Sequence, residues 1–367
     1  MREFRLGTHV RIGADALTAL DQFATDRVLL VTDEFLATTP VFADVESRLG
    51  NHVTRFTDVV PNPTIATISR GVAVYLEARP DVVVAYGGGS VMDAAKAMHK
   101  AALDSGFGAS EGLVAIPTTS GSGSEVTSFA VLTDERTHTK IPLVSPDMVA
   151  RLAILDPDAV VGVPPRITAD SGMDVLTHAV EAYVSVGACD FSDALAEKAV
   201  ELVFAHLVRC YTHGSDRDAR GHMHNASCLA AMAFDNVGLG ITHSLAHALG
   251  GHFPIAHGRL NAMLLPHVVA FNAARSTVAE ERYARLGRLV APSASGAAAV
   301  TSLVSGIRRL NRHLGIPELI AEAGVPQQEY RAAVEAMAAS AMEDGCTPTN
   351  PVRPTREDLV LLLRKLG

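Results

Sequence analysis

The stretch DVVVAYGGGSVMDAAKAMHKAAL, Asp81 to Leu103, changes character at its centre. Its first half is a short β-branched run, the mark of a buried strand. Three glycines follow, and then Ala, Met and Lys, which favour helix. A strand that passes through a glycine turn into a helix is the repeating unit of a parallel α/β sheet. RVLLVTD (27–33) reads as another buried strand ending in a turn, and GLVAIPTTSGSGSEV (112–126) as a strand followed by a loop of small residues. LAILDPDAVVGVPPRIT (152–168) reads as the last strand, and its Pro164-Pro165 pair marks a boundary. Beyond it, Ala, Leu and Met replace the β-branched runs. In TSLVSGIRRLNRHLGIPELI (301–320), Leu303, Ile307, Leu310 and Leu314 fall at helical spacing, with the arginines off that stripe. The expectation is an α/β domain over 1–163 and an all-helical domain over 164–367.

Composition narrows the function. Apolar residues make up 48% of the 367, yet no run of eighteen is unbroken, so no membrane span is expected. The net charge of −9, with acids and bases interspersed, argues against nucleic acid, which calls for a basic stripe. The start, MREFRLGTHVRIGAD, lacks an apolar signal core. Four cysteines without CxxC or framework spacing read as free thiols, so a cytoplasmic protein is expected.

The glycine turn has chemistry of its own. A helix N-terminus offers unpaired N–H groups and partial positive charge, and glycine lets a ligand approach the backbone. Gly88, Gly89 and Ser90 can therefore cradle a pyrophosphate, although the spacing is not G-x-G-x-x-G and a plain tight turn would look the same. The second loop, PTTSGSGSEVT (117–127), strengthens the nucleotide reading. Asp33, at a strand end, can hold ribose hydroxyls and repel a 2′-phosphate, or simply cap a turn.

Two further stretches carry metal-binding residue types. In GMDVLTHAVEAY (172–183), Asp174 and His178 are four apart, hence on one helix face. In THSLAHALGGHFPIAH (242–257), His243 and His247 repeat that spacing and His257 follows. One aspartate and three histidines form an O,N,N,N set suited to Fe(II) or Zn(II). HSLAH is not H-E-x-x-H, so the metalloprotease reading lacks its base. An isolated pair of this kind is more often a surface or capped pair, and His206, His213, His222 and His224 are assigned to that class. Asp174, however, lies in an apolar run where an unpaired buried carboxylate is costly.

GGGSVMDAAKA, IPTTSGSGSEVT, GMDVLTHAVEAYVS and GLGITHSLAHALGGHFPIAHGRLNAMLLPHVVAFN together resemble the iron-dependent (group III) alcohol dehydrogenases. The resemblance runs from the first strand to the DGCTPTNP segment near the end. Within the family it is most similar to the propanol and ethanol dehydrogenases of propanediol- and ethanolamine-utilisation microcompartments, through MHNASCLAAMAF, SDALAEKAVELVF and HGRLNAMLLP. It implies an N-terminal Rossmann-like, dinucleotide-binding α/β domain and an all-α C-terminal domain, with the site in the cleft between, as in the dehydroquinate synthase-like fold. It implies Asp174, His178, His243 and His257 as ligands of Fe2+, with Zn2+ as the alternative ion. NAD(H) would be held at Asp33, Gly88, Gly89, Ser90, Asp93, Thr118, Thr119, Ser122, Thr127, Lys140 and Phe234. His247 would lie beside the substrate as a catalytic residue on the proton path; His252, in the loop, either walls the substrate pocket or is an ordinary histidine.

The reaction implied is hydride transfer between a short primary alcohol and NAD, giving the aldehyde, with the metal acting as Lewis acid on the substrate oxygen. A homodimer, a small alcohol or aldehyde partner and a microcompartment setting belong to the same expectation. Departures are NPV (350–352) where relatives read N-P-R, and Ala248 after the second histidine of HSLAH. They bear on substrate shape. The competing readings are a zinc-dependent polyol or glycerol-type dehydrogenase or a synthase of the same fold, a metal hydrolase without NAD, and a non-catalytic NAD-binding protein.

Overall fold

A computed structural model of the chain describes residues 3–136 and 139–367. The chain divides into two compact units: Arg5–Val163 with Ser215–Cys228, and Pro164–Gly214 with Leu229–Gly367 and the N-terminal residues as far as Phe4.

The first unit contains β1 (His9–Ile12), β2 (Val28–Val31), α1 (Pro40–Arg48), β3 (Val53–Phe56), α2 (Ile65–Ala78), β4 (Val82–Gly87), α3 (Gly89–Asp104), β5 (Leu113–Pro117), β6 (Phe129–Asp134), β7 (Thr139–Val144) and β8 (Leu152–Leu155). Six strands form a sheet in the order β1-β8-β5-β4-β2-β3, every neighbouring pair parallel. Both faces are covered, which is why the central strands read as continuous apolar runs. Leu29, Val31, Val83 and Ala85 pack with Met92 and Tyr75 on one face. Leu30, Val82, Val84 and Tyr86 pack with Phe42 and Leu20 on the other. From β2 the chain builds outward to β3, then returns to place β4 on the opposite side of β2. In open α/β sheets, ligands bind outside the carboxyl ends of strands at such a reversal. Asp33 follows β2 and the glycine turn follows β4.

Two features have no counterpart in the sequence reading. The edge strand β1 is short and largely exposed, so it carries no alternation. β6 and β7 form a separate antiparallel hairpin. Its base is tied to α3 by Lys96, fully buried, whose Nζ donates to the Thr127 carbonyl and hydroxyl and to the Phe129 carbonyl.

The second unit is helical throughout its described residues. It contains α4 (Pro165–Val184), α5 (Asp190–Thr212), the end of α6 (Arg217–Val237), α7 (Ile241–His252), α8 (His257–Arg275), α9 (Thr277–Val290), α10 (Gly296–His313), α11 (Gln327–Glu343) and α12 (Arg356–Leu363). α4 is its central helix, buried at nearly every position from Thr168 to Val184. Gly258, at the start of α8, lets that helix approach α4 closely, since a Cβ there would sit 2.0 Å from the Asp170 carbonyl oxygen. No helix among the described residues is long and apolar enough to cross a membrane.

Glu125 is a buried carboxylate of the first unit. It is 2% exposed, and its Oε1 has no hydrogen-bond partner. Burial pushes its carboxyl up to about 7, against the pull of its backbone amide bond and of Lys96. The folded state therefore holds a proton that the unfolded chain releases near 4.5. Glu125 stabilises folding least at high pH: stability falls as pH rises through the window between 4.5 and 7, by on the order of 3 kcal/mol in all. Glu125→Gln is expected to flatten this window and to exceed the parent in stability above pH 7. Denaturant titrations across pH check it, and parallel curves would count against it.

Candidate metal centre and nucleotide loops

Helical spacing on α4 puts Asp174, His178 and Glu181 on one face, one turn apart, in a fully packed helix. α7 brings His243, and the first residue of α8 is His257. The donor atoms of Asp174, His178 and His243 all lie within 4.8 Å of one another. His257 joins through Asp174: its Nε2 is 3.7 Å from Oδ1. The Nε2 of His243 is 3.9 Å from the same oxygen, and that of His178 is 4.0 Å from Oδ2. These separations are too long for hydrogen bonds.

The protons explain why the atoms stand off. Glu181 Oε2 accepts His243 Nδ1–H at 2.6 Å, so His243 faces Asp174 with a bare lone pair. The Asn261 amide nitrogen donates to Asp174 Oδ1 at 2.7 Å and also lies 3.2 Å from His243 Nε2 and 3.0 Å from His257 Nε2. An amide has two protons, and three acceptors converge on it. Burial drives His243, 1% exposed, well below its ordinary pKa, so it is neutral near pH 7. Burial penalises the Asp174 charge, but the facing imidazoles and the Asn261 hydrogen bond outweigh it and hold the carboxyl below its ordinary pKa, so Asp174 is an anion. A buried anion, an excess of lone pairs and no cation fit a divalent ion with an O,N,N,N donor set.

Glu181 escaped the sequence reading, although it stands seven residues after Asp174 in the same quoted stretch. Besides His243 it accepts the Gly240 amide at 2.9 Å and the Thr242 amide at 2.6 Å, the free N–H groups at the start of α7. His247 and His252 lie further along α7. His247 Nδ1 donates to Asp344 Oδ2 at 2.8 Å, and its ring stacks on His257 with centroids 5.1 Å apart. His252 bonds the Ala248 carbonyl and closes the helix end. Phe234 stacks on His178 with centroids 4.5 Å apart.

In the first unit the two loops face each other. A Cβ on Gly88 would meet Thr119 Oγ1 at 3.3 Å, and one on Gly89 would meet Ser122 Oγ at 3.1 Å. The Thr118 amide donates to the Gly87 carbonyl. Ser90 Oγ accepts the Asn62 amide, and Asn62 Oδ1 accepts Lys140 Nζ at 2.5 Å. Asn62, in the left-handed region at φ 58°, is a second residue the sequence reading passed over. Asp33 Oδ1 accepts the Leu36 amide at 2.8 Å, a turn-capping bond. Asp93 and Thr127 are engaged by the protein: Asp93 by Ser124 Oγ and the Val131 amide, Thr127 by Lys96. His224, assigned to the unremarkable class, is 1% exposed and hydrogen-bonded to Ser120 in the second loop.

Residues 7–157 match the family described as iron-containing alcohol dehydrogenase, and residues 168–367 match the C-terminal domain of the Fe-containing alcohol dehydrogenase family. The chain belongs to the iron-containing alcohol dehydrogenases. It is 43% identical over 356 residues to the 1-propanol dehydrogenase PduQ of Citrobacter freundii, covering 96% of each chain. It is 36% identical to the NAD-dependent methanol dehydrogenase of Bacillus methanolicus, over 95% of this chain and 94% of that one. The crystal structure of a 1,3-propanediol oxidoreductase superposes over the whole of both chains with a TM-score of 0.93 at 32% identity. Family membership names iron as the metal.

The Glu181 carboxylate fixes the tautomer of His243, so Glu181→Gln is expected to weaken metal retention about ten- to a hundredfold. Asp174→Ala is expected to abolish it. Iron content after dialysis against graded chelator measures both, and a parental retention curve for Glu181→Gln would contradict the assignment.

Proposed function

We propose that the protein interconverts a short primary alcohol and its aldehyde, of the propanol/propanal or ethanol/acetaldehyde type, with NAD(H) as hydride carrier and Fe2+ held by Asp174, His178, His243 and His257. The observation that carries this reading is the buried Asp174 carboxylate facing three imidazole Nε2 atoms within 4.0 Å, on a chain that matches the family in both halves. The names 1-propanol dehydrogenase and NAD-dependent methanol dehydrogenase, borne by relatives matched along most of their length, support the substrate class and the carrier. The homodimer and a microcompartment setting are part of the proposal and rest on the resemblance.

A ferrous ion in this centre supplies Lewis-acid polarisation of the substrate oxygen. The protein supplies position and protons. Glu181 and Asn261 hold the ligand side chains in place before any substrate arrives. Gly88 and Gly89 leave room for pyrophosphate at the N-terminus of α3, and the carboxylate of Asp33 disfavours a 2′-phosphate. His247, with its proton on Nδ1, takes or gives the reaction's proton at Nε2.

Protein prepared without oxygen and reloaded with ferrous iron is expected to oxidise NADH with propanal. Asp174→Ala should lose this activity, and a zinc-loaded sample should show whether the second ion supports it. Tight NADH binding without turnover on short aldehydes would move the substrate toward polyols. Failure to bind NADH would overturn the dehydrogenase reading.

A further inference from the structure

The metal centre and the nucleotide loops leave without a task a hydrogen-bonded network that runs from buried Ser244 and Thr347 to the exposed His247. Asp344 caps the C-terminus of α11, and the turn after it packs against α7. One of its oxygens, Oδ1, accepts the Cys346 amide at 2.8 Å and the Ser244 hydroxyl at 3.2 Å. Ser244 in turn accepts the Thr347 hydroxyl at 2.8 Å. Asp344 is therefore held by the protein on one side, and its other oxygen, Oδ2, accepts His247 Nδ1–H at 2.8 Å, with the Cys346 thiol as a further donor to the carboxylate. His247 is nearly half exposed and touches the site through its stacked ring on His257 and an edge contact with His243. Among the described residues, the Asp344 carboxylate is the hydrogen-bond partner of the His247 ring, at Nδ1, and so selects which nitrogen carries the proton.

We propose that Asp344 is a positioning residue for His247: its fixed carboxylate keeps the imidazole proton on Nδ1 and so leaves Nε2 as the nitrogen that exchanges a proton with the substrate. The inference rests on the reading of His247 given above. In alcohol oxidation the C–H electron pair leaves as hydride to the nicotinamide, the C=O bond forms, and the hydroxyl proton passes to Nε2. Aldehyde reduction runs the same transfers in reverse. A carboxylate opposite Nδ1 also stabilises the imidazolium that exists while the proton is held. The competing view gives Asp344 only the task of tying the 344–349 turn to α7 through Ser244 and Cys346.

A double-mutant cycle on the iron-loaded enzyme separates the two views. Asp344→Asn keeps the size of the side chain but lets it donate to Nδ1, which favours the other tautomer. It is expected to lower kcat with propanal about a hundredfold, with iron content and the KM for NADH unchanged. In a His247→Ala background the same substitution is expected to change kcat by less than about twofold, because the partner it acts through is gone. Multiplying effects in the double variant, or a parental kcat for Asp344→Asn, would overturn the proposal. A parental kcat for His247→Ala would instead remove the proton-path reading and the proposal with it. Should the Asp344 variants fail to fold, long-range 1H–15N spectra of the zinc-loaded, diamagnetic parent read the His247 tautomer directly. The Nδ1–H form is expected, and the Nε2–H form would overturn the proposal.

Discussion

The Glu181 carboxylate accepts the first amides of α7 and the Nδ1 proton of His243 with the same pair of oxygens. Two requirements are met by one buried charge. The start of a helix has N–H groups with no partner inside the helix, and a ligating histidine needs its second nitrogen fixed. Because both bonds go to α4, the direction of α7 and the tautomer of His243 are set together. One turn further on, His247 is delivered beside His257 by the same helix. The elements that carry donor atoms are thus locked to α4 before a metal is considered.

What remains is an electrostatic imbalance. Asp174 faces three imidazole nitrogens; burial keeps His243 neutral, and Asn261 has fewer protons than the acceptors around it need. In a polar site open to water this would be unremarkable. At 8% exposure it is a standing cost that a divalent cation relieves. On the proposed ligand set, metal binding would offset this cost, and folding energy and metal affinity would be linked.

Local periodicity explains which of these features the sequence reveals. Asp174 with His178, and His243 with His247, are visible because a helix turns every 3.6 residues and the ligand types are rare in apolar runs. The β4–glycine–α3 unit is visible because strand and helix use different residues. Glu181 lay in plain view at the next turn of α4, but an acid on a helix usually faces water, and only the packing of α4 reveals otherwise. Asp344 and His247 are 97 residues apart, and no local pattern pairs them. The same holds for His224 and Ser120, 104 apart, for the buried Lys96 under the hairpin, and for the grouping of Ser215–Cys228 with the first unit. β1 is too short and too exposed to show alternation. The unread features are those made by tertiary contact alone.

The most direct test of this account is an anomalous difference map at the iron absorption edge, from crystals of ferrous-loaded protein grown without oxygen. It predicts one iron per chain, within roughly 2.0–2.3 Å of Asp174 and of the Nε2 atoms of His178, His243 and His257, with Glu181 still on His243 Nδ1. A peak at His247, Asp344 and Cys346 instead, or none at Asp174, would contradict it.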